Sequence, residues 1–430
     1  MSNGFYRLKR FFTADVSRIS GVCKNAGTFI IYGLLYDAVI NIYKPFSMKF
    51  LTRLGGDEAY LSLLNSLPGI TAALALLPGA VFLSRYTNTR RVTSVIFLTS
   101  RSVLLVLAAV PFFPEHIRPA LFIGLMSVMN LPDALSQSSV QASLGSFVPD
   151  GKIRAAAISL RIKYGNVLIP AVILLTGAVI RIFPKNEPQV LAFYQFFFVA
   201  AFVVGLFEIR TYRRFTEESA PHGRSMPHGR DRPDIRTVKA VFNNKRFMSY
   251  FFTTIVFYVT WHAGWALSSI YQIQNLGADE AWIALFNVTS GVASYVSANF
   301  WNKRIVKDGN DKTLVLAVLC VALNMFTVVS SPNLYILNMA MLFNGFAVIG
   351  ISTVLLNSLI AATPDNDRMV YIGVYNTFVN ISLGVAPLIT LYVINRAGVA
   401  AALYTVGTAR LLVGLWLLVR LLIKTKKTAV

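Results

Sequence analysis

The chain has 430 residues, of which 55% are hydrophobic and only 14% charged, with a mean hydropathy of +0.58. Soluble chains of this length carry about a quarter charged residues, so an assembly of soluble domains is excluded, and so is a disordered chain, which cannot be this apolar. Lys and Arg number 40 against 19 Asp and Glu, a net charge of +21, and the placement of those bases decides what the charge means.

In chain order, residues 1–25 form a basic segment (Arg7, Lys9, Arg10, Arg18) without a cleavable signal pattern. Six mostly apolar stretches follow near 26–46, 58–83, 92–112, 118–140, 153–182 and 190–212, each long enough to cross a bilayer as a helix. A polar break at 213–246 holds the tandem Pro-His-Gly-Arg at 221–224 and 227–230 and reads as a linker. Six more stretches run near 247–274, 279–303, 312–330, 333–362, 369–394 and 398–423.

The pattern predicts an all-α integral membrane protein of twelve transmembrane helices. A six-helix half at 26–212 and a second at 247–430, ending in a short tail, flank the linker. Most Lys and Arg fall on the side that carries the N-terminus. The positive-inside rule therefore makes both termini and the linker cytoplasmic in a multi-pass protein of the inner or plasma membrane. The excess charge is then a topology signal, with the lipid bilayer rather than nucleic acid as the large partner. Cys23 and Cys320 form no metal or redox spacing.

The two halves repeat. Leu54-Gly-Gly-Asp-Glu-Ala-Tyr-Leu-Ser-Leu-Leu-Asn-Ser-Leu-Pro-Gly69 returns as Leu276-Gly-Ala-Asp-Glu-Ala-Trp-Ile-Ala-Leu-Phe-Asn-Val-Thr-Ser-Gly291. Pro149-Asp150 before Arg154 returns as Pro364-Asp365 before Arg368. Internal duplication of six-span units points to a transporter with a pseudo-two-fold axis. The acidic pairs Asp57-Glu58 and Asp279-Glu280 read as helix starts, where carboxylates suit the N-terminal dipole.

Gly79-Ala-Val-Phe-Leu-Ser-Arg85-Tyr-Thr-Asn-Thr-Arg90-Arg91 lies between the second and third spans. With the looser Asn299–Lys312 stretch and the Val148–Arg161 region, it resembles the major facilitator superfamily over essentially the whole chain. Ser84 stands where that family's loop has an acid. The resemblance implies alternating access around a cavity lined by spans one, four, seven and ten. It also implies a cytoplasmic gate, for which Arg85, Arg90, Arg91, Arg154 and Arg161 are the candidates. Arg85 and Arg90 are expected to meet Asp150 or Glu208, and Arg161 to brace the loop.

The spans carry polar stripes of their own. Gly33, Asp37, Asn41 and Lys44 share a face of the first, and Asn130, Asp133, Gln137 and Gln141 a face of the fourth. Tyr258, Trp261, His262 and Trp265 share a broad face of the seventh; Asn338 and Asn344 lie on the tenth. Ionisable groups inside a bilayer are costly and so mark a cavity or a partner. The substrate-binding or coupling candidates are Asp37, Asn41, Arg101, Asn130, Asp133, Tyr258, Trp261, His262 and Trp265. Arg101 is expected to neutralise Asp133, and Asp37 is favoured as the coupling carboxylate, with Lys44 or Arg101 as its counterion if it is structural. Arg410 has no acid in its half's spans and is expected to snorkel or bond backbone. The stripe Asn287, Ser290, Ser294 and Ser297 reads as helix packing.

No hydrolase, metalloprotease or phosphate-loop pattern occurs among these residues, so the chain reads as no enzyme and needs no cofactor. The expected protein is a monomeric secondary transporter of a small polar or anionic organic solute, coupled to a proton or cation. An exporter of amphipathic drugs is the alternative, and a non-transporting receptor or scramblase the alternative from another class. The Gly-Pro cluster typical of drug antiporters is reduced here to Gly165-Asn166 and Pro170.

Overall fold

The computed structural model describes residues 14–83, 89–216, 241–363 and 368–428, nearly all helical. A short helix α1 spans 14–22. It is followed by α2 (Lys24–Tyr43), α3 (Ser47–Arg53), α4 (Glu58–Leu83), α5 (Thr89–Ala109), α6 (Arg118–Phe147), α7 (Gly151–Ile182) and α8 (Glu187–Tyr212). Beyond the linker come α9 (Lys245–Ile270), α10 (Glu280–Val329), α11 (Leu334–Ala362) and α12 (Arg368–Thr428). Among the described residues, eight helical stretches are long and apolar enough to cross a membrane. Large apolar side chains such as Val306, Tyr295 and Leu412 are exposed along them. A soluble protein does not leave so much apolar surface in water; this is a multi-pass membrane protein.

Two of the stretches, Glu280–Val329 and Tyr371–Ile423, run to 50 and 53 residues. A bilayer core of about 30 Å takes only ~20 residues of helix, so each is long enough for two crossings. Each is also broken: Gly309 (φ 79) and Gly398 (φ 82) leave helical geometry.

The chain divides into two packed units, one of Met1–Gly55 with Leu74–Arg230 and one of Gly56–Ala73 with Asp231–Val430. In the first, α2 packs on α7 and α8, and α5 packs on α6 and α8. The core of this unit gathers Tyr32, Phe97, Phe147, Tyr212 and Phe215, whose rings stand mostly edge-on at 5.4–6.5 Å, with Phe147 and Phe215 stacked at 4.5 Å. In the second, α9 packs on α12, and α10 on α11 and α12, around Trp301, Phe257 and Trp261.

The sequence repeat is also a repeat of conformation. Gly55 and Gly277 both adopt positive φ, 93° and 69°, which glycine tolerates because it lacks a Cβ. Asp57 Oδ1 accepts from Tyr60 N at 3.0 Å and Asp279 Oδ1 from Trp282 N at 2.9 Å, so both acidic pairs are helix starts. Two turns on, Asn65 donates to Leu61 O and Asn287 to Ile283 O. The second copy of the Pro-Asp…Arg repeat lies partly outside the described residues.

The stripe on the first arm of α10 is helix packing. Ser294 donates to Gly345 O at 2.8 Å, and a Cβ on Gly345 would sit 2.0 Å from Ser290 O. Asn338 and Asn344, expected on the cavity face of the tenth span, are drawn into the same seam. Asn338 accepts from Thr289, and Asn344 accepts from Asn324 and donates to Ser290.

Candidate functional site

In unit 1 the intramembrane charges form two groups. Arg101, on α5, is completely buried. Its Nε and Nη2 donate to the two oxygens of Glu208 on α8, at 2.9 and 3.2 Å, and Nη1 donates to Asp133 Oδ1 on α6 at 2.9 Å. Asp133 Oδ2 accepts from the Tyr36 hydroxyl at 3.3 Å, and the guanidinium lies 5.5 Å from the Tyr36 ring centroid. Gly205 makes the room: a Cβ there would stand 2.9 Å from Arg101 Cδ. Spacing of three places the Gly205 notch and the Glu208 acid on one face of α8.

The expected Arg101–Asp133 pair is therefore present, and Glu208 joins it from α8. One guanidinium faces two carboxyl groups, so the cluster holds one acid more than it has cations. A surplus charge held away from water is costly unless a proton or cation joins it.

Asp37, on α2, has a different partner from those expected. Arg161 Nη2 on α7 donates to Asp37 Oδ1 at 3.1 Å. The arginine lies over Gly33, whose Cβ would meet Nε at 2.1 Å, while a Cβ on Gly165 would meet Asp37 Oδ2 at 3.4 Å. Gly33 is thus a seat for Arg161, and the pair is balanced, one charge against one. Asn41 donates back to Asp37 O at 2.7 Å. Asn130 is half-buried on α6, one turn before Asp133.

In unit 2 the aromatic face of α9 is continuous. The Tyr258 and His262 rings are 5.3 Å apart, His262 and Trp265 5.3 Å, and Trp261 and Trp265 6.0 Å. Trp261 is buried in the core beside Trp301, whereas Trp265 is half exposed. His262 Nδ1 lies 2.8 Å from Ser382 Oγ on α12, and that hydroxyl donates to Val379 O at 2.7 Å. With its proton committed, Ser382 accepts from Nδ1–H, which leaves Nε2 as an acceptor. Tyr375 extends the face, 6.1 Å from Tyr258 and stacked on Tyr250 at 5.9 Å.

Arg410 bonds backbone. Buried on α12, it donates to Thr260 O (2.7 and 3.0 Å), Trp261 O (3.0 Å) and Val321 O (3.4 Å). Gly264 opens the space, since a Cβ there would lie 2.0 Å from Nη2.

The gating residues are placed unevenly. Arg85 lies outside the described residues. Arg90 donates to Phe215 O rather than to Glu208, whose oxygens are taken by Arg101. Asp150 Oδ1 caps α7 by accepting from Ile153 N at 3.0 Å, and Arg154 donates to Val148 O at 3.0 Å. Arg91 is exposed at the start of α5. Arg161, expected to brace the loop, is the counterion of Asp37 instead. No group of acids, histidines and cysteines among the described residues could hold a metal ion.

Sequence reasoning gave Glu208 only as a partner of the gating arginines, and it left out Tyr36 and Ser382. Glu208 had a usable signal: it is an acid inside an apolar run, three residues after a glycine. The other two look like ordinary helix residues until their neighbours are known.

A family model described as Major Facilitator Superfamily matches residues 27–361. No curated protein matches the chain in sequence. Among solved structures, the chain is similar to a mutant of the nucleoside transporter NupG, with TM-score 0.70 and 10% identity, covering 92% of this chain and 99% of that one. It is similar also to a POT family transporter in complex with 5-aminolevulinic acid, with TM-score 0.67 and 13% identity, covering 92% and 96%. At such identities the likeness is one of fold.

Proposed function

Because the chain belongs to the major facilitator superfamily, we propose that it is a secondary transporter moving a small polar or anionic organic solute by alternating access, coupled to a proton or cation. In this reading it has twelve spans in two six-helix halves, 26–212 and 247–430, and both termini are cytoplasmic in the cell membrane. The duplicated turns at Gly55 and Gly277, and the two long helices broken at Gly309 and Gly398, support that count.

The observation that carries the coupling is the charge imbalance around Arg101. Asp133 is the less enclosed acid of the triad, its side chain 16% exposed while Glu208 is fully buried. It is the carboxylate that takes up and releases the coupling ion, and Tyr36 and Arg101 hold it in position. Asp37, balanced by Arg161, contacts or orients the solute. On α9, Trp265 and Tyr258 give a flat apolar wall, and His262 Nε2 offers an acceptor for a solute N–H or O–H. That aromatic wall also keeps amphipathic aromatic compounds, exported rather than imported, as a second reading.

The test is transport in proteoliposomes with Asp133→Asn. Solute counterflow, which needs no net ion movement, should persist, and gradient-driven accumulation should collapse. Full accumulation by a well-folded Asp133→Asn protein would remove the coupling assignment, and absence of counterflow in the wild type for a metabolite panel would remove the transporter reading.

A further inference from the structure

A cleft of about 470 Å³ opens in unit 2 where α9 begins and α12 nears its end. Among the described residues that line it are Lys245, Arg246 and Arg420, against one acid, Asp311. Among the described residues none of these three cations is ion-paired to a carboxylate. Arg420 is nevertheless held in place: Nη1 donates to Thr253 Oγ1 at 2.9 Å and Ser249 O at 3.3 Å, and Nη2 to Ser249 Oγ. These acceptors are neutral, so the guanidinium is oriented but its charge is not cancelled. The first turn of α9 adds its own positive dipole end beside Lys245.

Two further features narrow the occupant. Ser358, on α11, lines the cleft, and its buried Oγ has no hydrogen-bond partner. Buried hydroxyls are almost always satisfied, so this one points to an atom that a ligand supplies. The remaining wall is apolar, with Leu314 and Leu417. On the outer side of the same helix end, Leu415, Trp416, Val419 and Leu422 are exposed, and the Trp416 ring lies 6.0 Å from the Arg420 guanidinium. Tryptophan and arginine side by side at the end of an apolar helix mark the level of lipid headgroups.

We propose that this cleft binds the phosphate of an anionic membrane phospholipid, with Lys245, Arg246 and Arg420 around the phosphate oxygens and Ser358 as a hydrogen-bond partner. Among the described lining residues, three cations against one acid leave a surplus that a phosphate satisfies, and the exposed apolar side chains of Leu415, Val419 and Leu422 on the same helix end suit acyl chains. The site does not depend on which solute the protein moves.

The experiment compares the full-length protein in phosphatidylcholine nanodiscs with and without phosphatidylglycerol, following thermal unfolding, together with native mass spectrometry for retained lipid. The wild type should gain thermal stability and retain phosphatidylglycerol. Lys245→Gln and the double variant Lys245→Gln/Arg420→Gln should lose both effects while unfolding normally in phosphatidylcholine. Ser358→Ala should weaken phosphatidylglycerol retention by about three- to tenfold, the loss of one hydrogen bond. Soluble glycerol phosphate is the second arm: a shift equal to that of phosphatidylglycerol would assign the phosphate site to a soluble compound and overturn the lipid. No shift with either, or a shift that survives the double variant, overturns the site itself.

Discussion

Arg101 lies across Gly205, and the glycine leaves the space that lets the guanidinium reach Glu208 one turn further along α8. The same relation recurs between Arg161 and Gly33 and between Arg410 and Gly264. In each, a long cation crosses a helix at a residue with no side chain and is then fixed by an acid or by backbone carbonyls. The glycines are a condition for burying the arginines.

Gly264→Ala should therefore destabilise the protein. The new methyl would meet a guanidinium tied to three carbonyls, and overpacking of this kind costs about 1–3 kcal/mol. Gly124→Ala, where a Cβ meets nothing within 4 Å, should be neutral or slightly stabilising. Thermal unfolding in detergent would compare them, and equal melting temperatures would contradict the packing argument.

Removing Arg101 should be worse than removing the whole cluster. Arg101→Met leaves two carboxylates without their cation, at a cost of about 3–5 kcal/mol. The triple variant Arg101→Met/Asp133→Asn/Glu208→Gln should recover much of that loss, because no bare charge stays buried. The yield of monodisperse protein in size-exclusion chromatography reads the order, and a triple variant less stable than Arg101→Met would refute it.

The Asp37–Arg161 pair is less enclosed, with side chains 18% and 29% exposed. A double-mutant cycle with Asp37→Asn and Arg161→Gln should give a coupling energy towards the lower end of the ~0.5–3 kcal/mol range for contacting residues. A coupling near zero would mean that the two groups act independently.

The short helix α1 is tied to α7 by Asp15, which accepts from the Tyr164 hydroxyl at 2.7 Å and from Lys163 Nζ at 3.0 Å. The Tyr164 hydrogen bond, then that of Lys163, holds the Asp15 carboxyl below its ordinary aspartate range. Its folded-state pKa is depressed, so its contribution is fully present above the unfolded value and is lost as pH falls through the folded one. A fluorophore at the exposed position of Ser17→Cys should keep its anisotropy from neutral pH down past about pH 3.9, the unperturbed aspartate value, and lose it only below that. Tyr164→Phe should move the transition upward; an unchanged midpoint would remove Tyr164 as the cause.

Much of this was legible in the sequence because the bilayer simplifies the code. Long apolar runs marked the helices, and the Leu54–Gly69 repeat marked the turns, down to the glycine with positive φ and the capping aspartate. The Arg101–Asp133 pair and the backbone bonding of Arg410 could be reasoned from depth and scarcity of partners. The Asp37 partner could not. Arg161 lies 124 residues away, and its reach across Gly33 depends on how α2 and α7 pack, which no periodicity encodes. Asn344 misled for a related reason: a polar residue in a span faces either a cavity or another polar residue, and only the position of Ser290 and Asn324 decides which.

The unequal count of charges around Arg101 also makes unit 1 an electrical element. With the cluster unprotonated, a net negative charge sits inside the low-dielectric layer, and the membrane potential acts on it with about 2.3 kcal/mol per 100 mV for full traversal. Once a proton is bound the cluster is neutral and the field exerts no net force on it. Under the proposed proton coupling, symport of an uncharged solute should therefore be rheogenic, with the resting potential contributing to the driving force alongside the proton gradient, whereas symport of a monoanion should be electroneutral.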